Sequence, residues 1–179
     1  ARIDDAHKEK HHGFRFDMKK AGDIMTRIEE FETISLDHSV SDAVEKLLSC
    51  QHGILAVSDS RKKLAGILTM VDIMKALLPD YVREESELID EPARFSSIFW
   101  GGHFTKQVAA IAARRVGEIL SELPLTISEN ANLLEIAHLL KKQSPKILMI
   151  RGISQIIGII VPWNLLVEVQ ATLRNPAPG

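Results

Sequence analysis

The sequence predicts an α+β fold made of two copies of one β-α-β-β-α unit. Three observations predict it: the halves of the chain repeat one another, each copy has a helix with apolar positions on a single face, and apolar runs of strand length follow each such helix. Of the 179 residues, 45% are hydrophobic but only 5% are aromatic. That composition suits helices packed on short strands of branched residues.

The duplication is visible as four pairs of matching blocks. In chain order they are residues 23–25 with 118–120, 33–35 with 126–128, 39–42 with 132–135, and 64–68 with 156–160. The last three pairs are separated by 93, 93 and 92 positions. So small a drift over three blocks indicates an internal repeat.

Each copy predicts its elements in the same order. A short strand ending in Thr-Ile-Ser is followed by a helix, whose start is marked by capping pairs, Ser39 with Asp42 and Asn132 with Glu135. One face of that helix carries the apolar positions 40, 43, 44, 47 and 48 in copy 1 and 133, 136, 137 and 140 in copy 2. The second strand is predicted at 54–57 and 147–150, the third at 64–68 and 156–160, and the closing helix at 71–78 and 162–170.

The repeat divides the chain into five parts. We expect an N-terminal arm over 1–20, a first module over 21–78, a connector over 79–114, a second module over 115–170 and a C-terminal tail over 171–179. The connector is longer than an ordinary loop and predicts a helix from about Thr105 to Arg115. Its apolar cluster is expected to cover a core or to contact another copy rather than to bind a ligand. That cluster consists of Phe95, Ile98, Phe99 and Trp100.

Charge and composition argue against several classes of function. The formal net charge of −2 provides no basic field for nucleic acid or an anionic membrane, and no apolar run reaches the roughly 18 residues of a membrane span. The single cysteine, Cys50, cannot form an internal disulfide, so we expect a cytoplasmic protein. His7, His11 and His12 have no evident further ligands, so no metal is expected. The usual enzyme motifs are absent from the sequence, which predicts that the protein is not an enzyme.

The segment Gly66-Ile67-Leu68-Thr69-Met70-Val71-Asp72 lies where the last strand of copy 1 meets its last helix. Thr69 and Asp72 are three positions apart, so both side chains lie beside the free amides of the first helical turn. A carboxylate can accept two hydrogen bonds and suits the vicinal hydroxyls of a ribose. The Thr69 hydroxyl and the amides can contact a phosphate, and Gly66 permits a close approach of the backbone. The same pair can also form a capping box worth about 1 kcal/mol, and the two roles are compatible.

This motif, at the end of a duplicated β-α-β-β unit, resembles the CBS domain family, which is named after cystathionine beta-synthase. The family pattern is glycine, a hydrophobic residue, any residue, Thr or Ser, two residues and Asp, and residues 66–72 fit it. The resemblance implies two modules packed with pseudo-two-fold symmetry, often paired again into a dimer. It also implies up to two clefts for adenosine-containing ligands such as AMP, ADP, ATP or S-adenosylmethionine.

The resemblance further implies which residues line the cleft that uses Asp72. Its other walls would come from copy 2, with Ile127 and Met149 holding the adenine and Lys146 contacting a phosphate, although a lone lysine can equally be solvated. The full set predicted for this cleft is Gly66, Thr69, Asp72, Thr126, Ile127, Pro145, Lys146, Ile147 and Met149.

The second copy departs from the family pattern, because Val161 has no hydroxyl and Asn164 offers one acceptor oxygen in place of two. We therefore predict one good nucleotide site and a weaker second cleft. Gly53 stands where Lys146 stands in the first cleft, so a cation is missing too, and Trp163 is expected to pack or to stack on a base. The weaker cleft would comprise Thr33, Ile34, His52, Gly53, Ile54, Ala56 and Asn164.

The resemblance predicts a regulatory protein that senses an adenosyl ligand, requires no cofactor and passes its signal to an effector protein. We expect it to form a homodimer. The alternative is a homodimeric interaction scaffold that is independent of ligand, which the weakened second cleft and the apolar connector favour.

Overall fold

The computed structural model describes residues 19–78, 102–143 and 146–175. The strands are β1 (Thr26–Arg27), β2 (Thr33–Ser35), β3 (Ile54–Ser58), β4 (Leu64–Thr69), β5 (Thr126–Ser128), β6 (Leu148–Arg151) and β7 (Ile156–Ile160). The α-helices are α1 (Ala21–Ile24), α2 (Val40–Ser49), α3 (Met70–Leu77), α4 (His103–Ala112), α5 (Val116–Ile119), α6 (Leu133–Lys142) and α7 (Pro162–Arg174).

The two copies have the same sheet topology, which confirms the predicted α+β class. In copy 1, β2 pairs parallel to β3 and β3 pairs antiparallel to β4; in copy 2, β5, β6 and β7 repeat this arrangement. Helices α2 and α6 begin directly after their predicted caps, Ser39 and Asn132. The Asp42 amide donates to Ser39 Oγ at 3.1 Å, and the Glu135 amide donates to Asn132 Oδ1 at 2.9 Å.

Two helix ends differ by three or more residues from the sequence prediction. The connector helix α4 ends at Ala112 rather than near Arg115, because the chain there leaves the helix to join the start of α2. The Arg114 carbonyl accepts from the Val40 amide at 2.8 Å, and the Val116 amide donates to the His38 carbonyl at 2.9 Å. The last helix, α7, continues to Arg174, four residues beyond its predicted end.

Each copy contributes its first helix to the core of the other. Helix α1 is the first helix of copy 1 but packs in the core of copy 2, where Ala21 and Ile24 lie with Ile136. Helix α5 is the first helix of copy 2 but packs in the core of copy 1, where Val116 lies with Leu55. Strand β1 follows α1 and extends the sheet of copy 2, so the sheet order there is β1-β7-β6-β5.

The two exchanges are related by the repeat. The amides of Ala21 and Gly22 donate to the carbonyls of Ala131 and Glu129, both at 2.9 Å. In the other copy, the amides of Val116 and Gly117 donate to the carbonyls of His38 and Leu36, at 2.9 and 3.0 Å. Neither core is complete without the first helix of the other copy. The predicted division into modules at 21–78 and 115–170 stays a prediction.

A further apolar cluster joins the two copies. Ile54, Ala56 and Ile67 of copy 1 pack there against Ile147 and Ile159 of copy 2. All five residues are buried, and they lie on the sheet faces opposite to those that pack against the copies' own helices. We call this group the interface cluster.

Candidate functional site

The strand-to-helix junction of copy 1 holds two buried polar side chains, Thr69 and Asp72, which are 6% and 4% exposed. Strand β4 ends at Thr69, whose extended backbone makes it the N-cap of α3. The Thr69 amide and the Thr69 hydroxyl both donate to Oδ2 of Asp72, each at 2.7 Å. The carboxylate therefore lies over the first turn of the helix, where a negative charge is favourable. Both bonds end on one oxygen, so Thr69 does not use Oδ1.

This junction lies next to the interface cluster. Thr69 stands opposite Ile54 in the β3–β4 pair, and Ile54 packs in the cluster with Ile147 of copy 2. Ile54 thus connects the start of α3 to residues of copy 2. Met149 is 2% exposed and stands opposite Ile159, another member of the cluster.

The corresponding junction of copy 2 uses its polar side chain differently. The Val161 amide donates to Asn164 Oδ1 at 2.9 Å, which reproduces the cap that Asp72 makes. The Asn164 side-chain amide donates to the Ile24 carbonyl at 2.9 Å and to Thr26 Oγ1 at 3.2 Å. Asn164 therefore fastens α7 to the end of α1 and the start of β1. The sequence indicated the loss of a carboxylate here but not the new donor.

The comparisons with known proteins agree with this architecture. Residues 21–79 match the family model of the CBS domain. The matched segment therefore belongs to the CBS domain family. The chain is similar in structure to the CBS-pair protein CBSX2 from Arabidopsis thaliana, with a TM-score of 0.62, 22% identity and coverage of 87% of this chain and 97% of that one.

Two further CBS structures have the same fold. A structure of CBSX2 in complex with AMP gives a TM-score of 0.60 at 22% identity, covering 87% of this chain and 98% of that one. The CBS-domain protein ATU1752 from Agrobacterium tumefaciens gives 0.59 at 15% identity, covering 86% and 96%. No curated protein sequence matches the chain. The chain thus has the fold of a CBS pair.

The residues that copy 2 was predicted to contribute to the Asp72 cleft are dispersed along that copy. Thr126 stands opposite Met149 in the β5–β6 pair, so the structure brings these two together on the face turned toward the interface cluster. Ile127 lies on the other face of β5 and packs against the core of copy 2. Pro145 lies outside the described residues.

The Lys146 side chain is exposed, and its ammonium group donates to the Lys141 carbonyl at 2.6 Å. Lys141 belongs to the last turn of α6, where a cation is favoured by the helix dipole. Contact with a phosphate would require the ammonium group to leave or share this carbonyl.

The glycine of the CBS motif accommodates an exchanged segment in each copy. A Cβ at Gly66 would lie 2.8 Å from Leu120 Cδ2, and a Cβ at Gly158 would lie 2.5 Å from Met25 Sδ and 2.7 Å from the Thr26 carbonyl. Leu120 and Met25 are matching residues that follow α5 and α1. The close approach predicted at Gly66 is therefore made by the protein's own Leu120.

The weaker predicted cleft has Gly53 at the position of Lys146. Gly53 has a φ of +64°, a conformation that side chains resist, so its lack of a side chain has a backbone reason. His52 is exposed and its ring lies 5.0 Å from that of Phe31, tilted by 51°. Ile54 and Ala56 are buried in the interface cluster.

Other residues named for that cleft serve the structure of copy 1. Ile34 is buried in the core, and the Thr33 carbonyl accepts from Lys46 Nζ at 2.9 Å. Trp163 neither fills a core nor lies beneath another element, because 69% of its surface is exposed.

A cavity of about 250 Å³ opens at the ends of β5 and β6. It is lined by Thr126, Ile127, Ser128, Arg151 and Gly152. The sequence indicated the first two of these residues but not the rest. In the described part of the chain, no cluster of three or more His, Cys, Asp or Glu side chains is placed to hold a metal ion. None of the helices in the described ranges has the length and apolarity that a membrane crossing requires.

Proposed function

We propose that this CBS pair is a regulatory, non-enzymatic module that binds an adenine nucleotide or a related adenosyl compound in the cleft beside Asp72. The observation that carries the proposal is the buried Asp72 carboxylate at the start of α3, which gives one oxygen to Thr69 and keeps the other. A fold shared with CBSX2, whose structure with AMP has been solved, supports the choice of ligand.

The ribose is the part of the ligand that Asp72 would recognise. Oδ1 can accept from a sugar hydroxyl while Oδ2 stays with Thr69, so binding does not require the helix cap to be broken. Charge-assisted hydrogen bonds of this kind are stronger than neutral ones. Met149 and Thr126, rather than Ile127, are on the face of copy 2 from which the base could be contacted.

We propose one ligand per chain. In copy 2 the position of Asp72 is taken by Asn164, whose oxygen and nitrogen are already bonded to the protein. Gly53 also leaves that cleft without a counterpart of Lys146. A sugar hydroxyl there would have to compete with bonds that hold α7 to the exchanged segment.

The signal would arise because the ligand contacts both copies. A ligand held by α3 of copy 1 and by β5 and β6 of copy 2 favours the arrangement of the copies in which both contacts are made. It can shift the equilibrium only by the difference in its affinity for the two arrangements. The output would be recognised by an effector protein.

The test is isothermal titration calorimetry with AMP, ADP, ATP and S-adenosylmethionine on the wild type and on Asp72→Asn. Asn164 shows that an asparagine caps a helix at the matching position, so Asp72→Asn keeps the cap and removes one acceptor and the charge. Losing a charged hydrogen bond costs about 1.5–3 kcal/mol, so we expect affinity to fall by about 10-fold to 150-fold.

Asp42→Asn is the matched control, because Asp42 also caps a helix of copy 1 from its third position and the change is chemically the same. It should leave binding unchanged. Equal affinity in the wild type and Asp72→Asn, or no binding of any of the four ligands by the wild type, would contradict the proposal.

A second candidate is a ligand-independent homodimeric scaffold. The observation that favours it is the exposure of large apolar residues on the closing helices, with Met70 and Met74 57% and 56% exposed on α3 and Trp163 and Leu166 69% and 57% exposed on α7. The connector cluster at 95–100 lies outside the described residues. Sedimentation with and without AMP distinguishes the candidates: a dimer that Trp163→Glu dissociates and that no adenosyl ligand alters supports the scaffold.

A further inference from the structure

Two equivalent helix pairs are covered to different extents. In copy 1, α4 lies on α2 and α3, and its Ile111 is buried beside Val40 and Ala76. Val44 and Leu77 are partly buried against the same group. Within the described ranges, α6 and α7 of copy 2 carry no helix in the position of α4.

The uncovered face of copy 2 is apolar where the covered face of copy 1 is apolar. Ala137 of α6 matches Val44 of α2 and is exposed. Val169 of α7 matches Leu77 of α3 and is 50% exposed, and Leu173 one turn later is 76% exposed. We call the surface formed by these three residues the α6–α7 face.

The sequence at the start of copy 1 repeats the sequence that directly follows α4. Residues 114–120, Arg-Arg-Val-Gly-Glu-Ile-Leu, match residues 19–25, Lys-Lys-Ala-Gly-Asp-Ile-Met, at every position in chemical type with an offset of 95. With the same offset, the buried Ile111 of α4 corresponds to Phe16. Residues 1–18 lie outside the described residues.

The described chain begins beside this face. Lys19 Nζ lies 2.6 Å from Glu168 Oε2, an ion pair with a carboxylate of α7 that is 17% exposed. The backbone of Lys20 forms an isolated antiparallel β-bridge with Asn132, the N-cap of α6. The residues immediately upstream are therefore attached at the edge of the α6–α7 face, and a tethered segment has a high effective concentration at a nearby surface.

We infer that residues 8–18 dock on the α6–α7 face and cover it as α4 covers α2 and α3, with Phe16 in the place of Ile111. The side-chain sizes are complementary at the matching positions. Phe16 is larger than Ile111, and Ala137 is smaller than Val44, its counterpart in copy 1. The pair of Lys19 with Glu168 neutralises the carboxylate that stands where copy 1 has Ala76.

Disulfide trapping tests the docking and its register in the full chain. In a Cys50→Ser background, Phe16→Cys is combined with Ala137→Cys or with Val169→Cys, and Arg15→Cys replaces Phe16→Cys as the control. Arg15 corresponds to Ala110, which is exposed on α4. After mild oxidation, intact mass and peptide mapping distinguish a link within one chain from a link between two chains.

We expect an intramolecular link from position 16 in at least one of the two pairs and none from position 15. The absence of any link from position 16, or links of equal yield from positions 15 and 16, would overturn the inference. Links between two chains would overturn it as well, because they would make a second copy the occupant of the face.

Hydrogen exchange gives a second readout that needs no introduced cysteine. Phe16→Asp should speed exchange of the α7 amides. Phe104→Asp, at a site on α4 that is 70% exposed, should leave the exchange of α7 unchanged. Unchanged exchange in Phe16→Asp would also argue against docking.

Discussion

The two motif glycines offer a direct test of the exchanged architecture, because the same substitution meets different neighbours in the two copies. In Gly158→Ala, the new Cβ would lie 2.7 Å from the Thr26 carbonyl oxygen, which is backbone, and 2.5 Å from Met25 Sδ. In Gly66→Ala, the nearest atom is Leu120 Cδ2 at 2.8 Å, the end of a flexible side chain. Neither glycine has a positive φ, so backbone strain does not enter the comparison.

The expected magnitudes follow from what must move. Ordinary contact begins at 3.4 Å, so the Thr26 carbonyl would have to retreat by about 0.7 Å, and Thr26 is held in register opposite Ile159. We therefore expect Gly158→Ala to cost about 3 kcal/mol, the upper end of the overpacking range. At Gly66 a Leu120 side chain pushed off its rotamer costs about 0.5–1.5 kcal/mol. Both substitutions also gain about 0.4–1 kcal/mol from the less flexible unfolded chain, which offsets most of the cost at Gly66 and cancels in the difference between the two variants.

The assay is urea denaturation followed by circular dichroism on the wild type and both variants. The difference between the variants should be about 2 kcal/mol, which corresponds to about 4–8 °C in Tm for a chain of this size. Equal destabilisation by the two substitutions, or a neutral Gly158→Ala, would refute the packing of Met25 and β1 against copy 2.

Four further predictions concern single residues. Ser39→Ala should lower the free energy of unfolding by about 1 kcal/mol in urea denaturation, because it removes the cap of α2. Hydrogen bonds from the side chain and then the backbone of Ser39 hold the pKa of Asp42 below its ordinary value of 3.8. The stabilisation by ionised Asp42 is thus present above that pH and lost below it, so the wild type and Asp42→Asn should converge in stability in acid; a gap that persists there would contradict this. Asn164→Asp places an acceptor against the Ile24 carbonyl and should cost about 1–3 kcal/mol, measured as Tm; an unchanged Tm would count against the fastening role. Gly53→Ala puts a side chain at φ +64° and should cost about 1–2 kcal/mol in urea denaturation, and no loss there would show that the turn relaxes.

Local patterns were sufficient to predict the elements of each copy. Helix periodicity and capping residues depend on neighbours three or four positions away, so α2 and α6 begin at the predicted residues. The β-β-α order after them follows from apolar runs and turns that are also local. The family resemblance then supplied the packing of one copy on the other, which no local pattern contains.

The exchange of segments could not be predicted in this way. Strand β1 has only two residues, and its pairing with β7 rather than with a strand of copy 1 depends on where Met25 and Gly158 meet in space. For the same reason the sequence indicated that Asn164 lacks a carboxylate but not that its amide group reaches Ile24. Lys146 was predicted as a phosphate contact from its place in the chain, whereas its present partner is a carbonyl at the end of α6.

The exchange of α1 and α5 between the two copies affects the order in which the chain can fold during synthesis. Synthesis proceeds from the N-terminus, and domains generally fold as units in that order. The first copy lacks Val116 in its core until the ribosome has passed that residue, although all of its own strands were made earlier. Strand β1 waits longer still, because β7 at Ile156–Ile160 is among the last elements to emerge. A nascent chain stalled between the copies should therefore be sensitive to protease even in its first half.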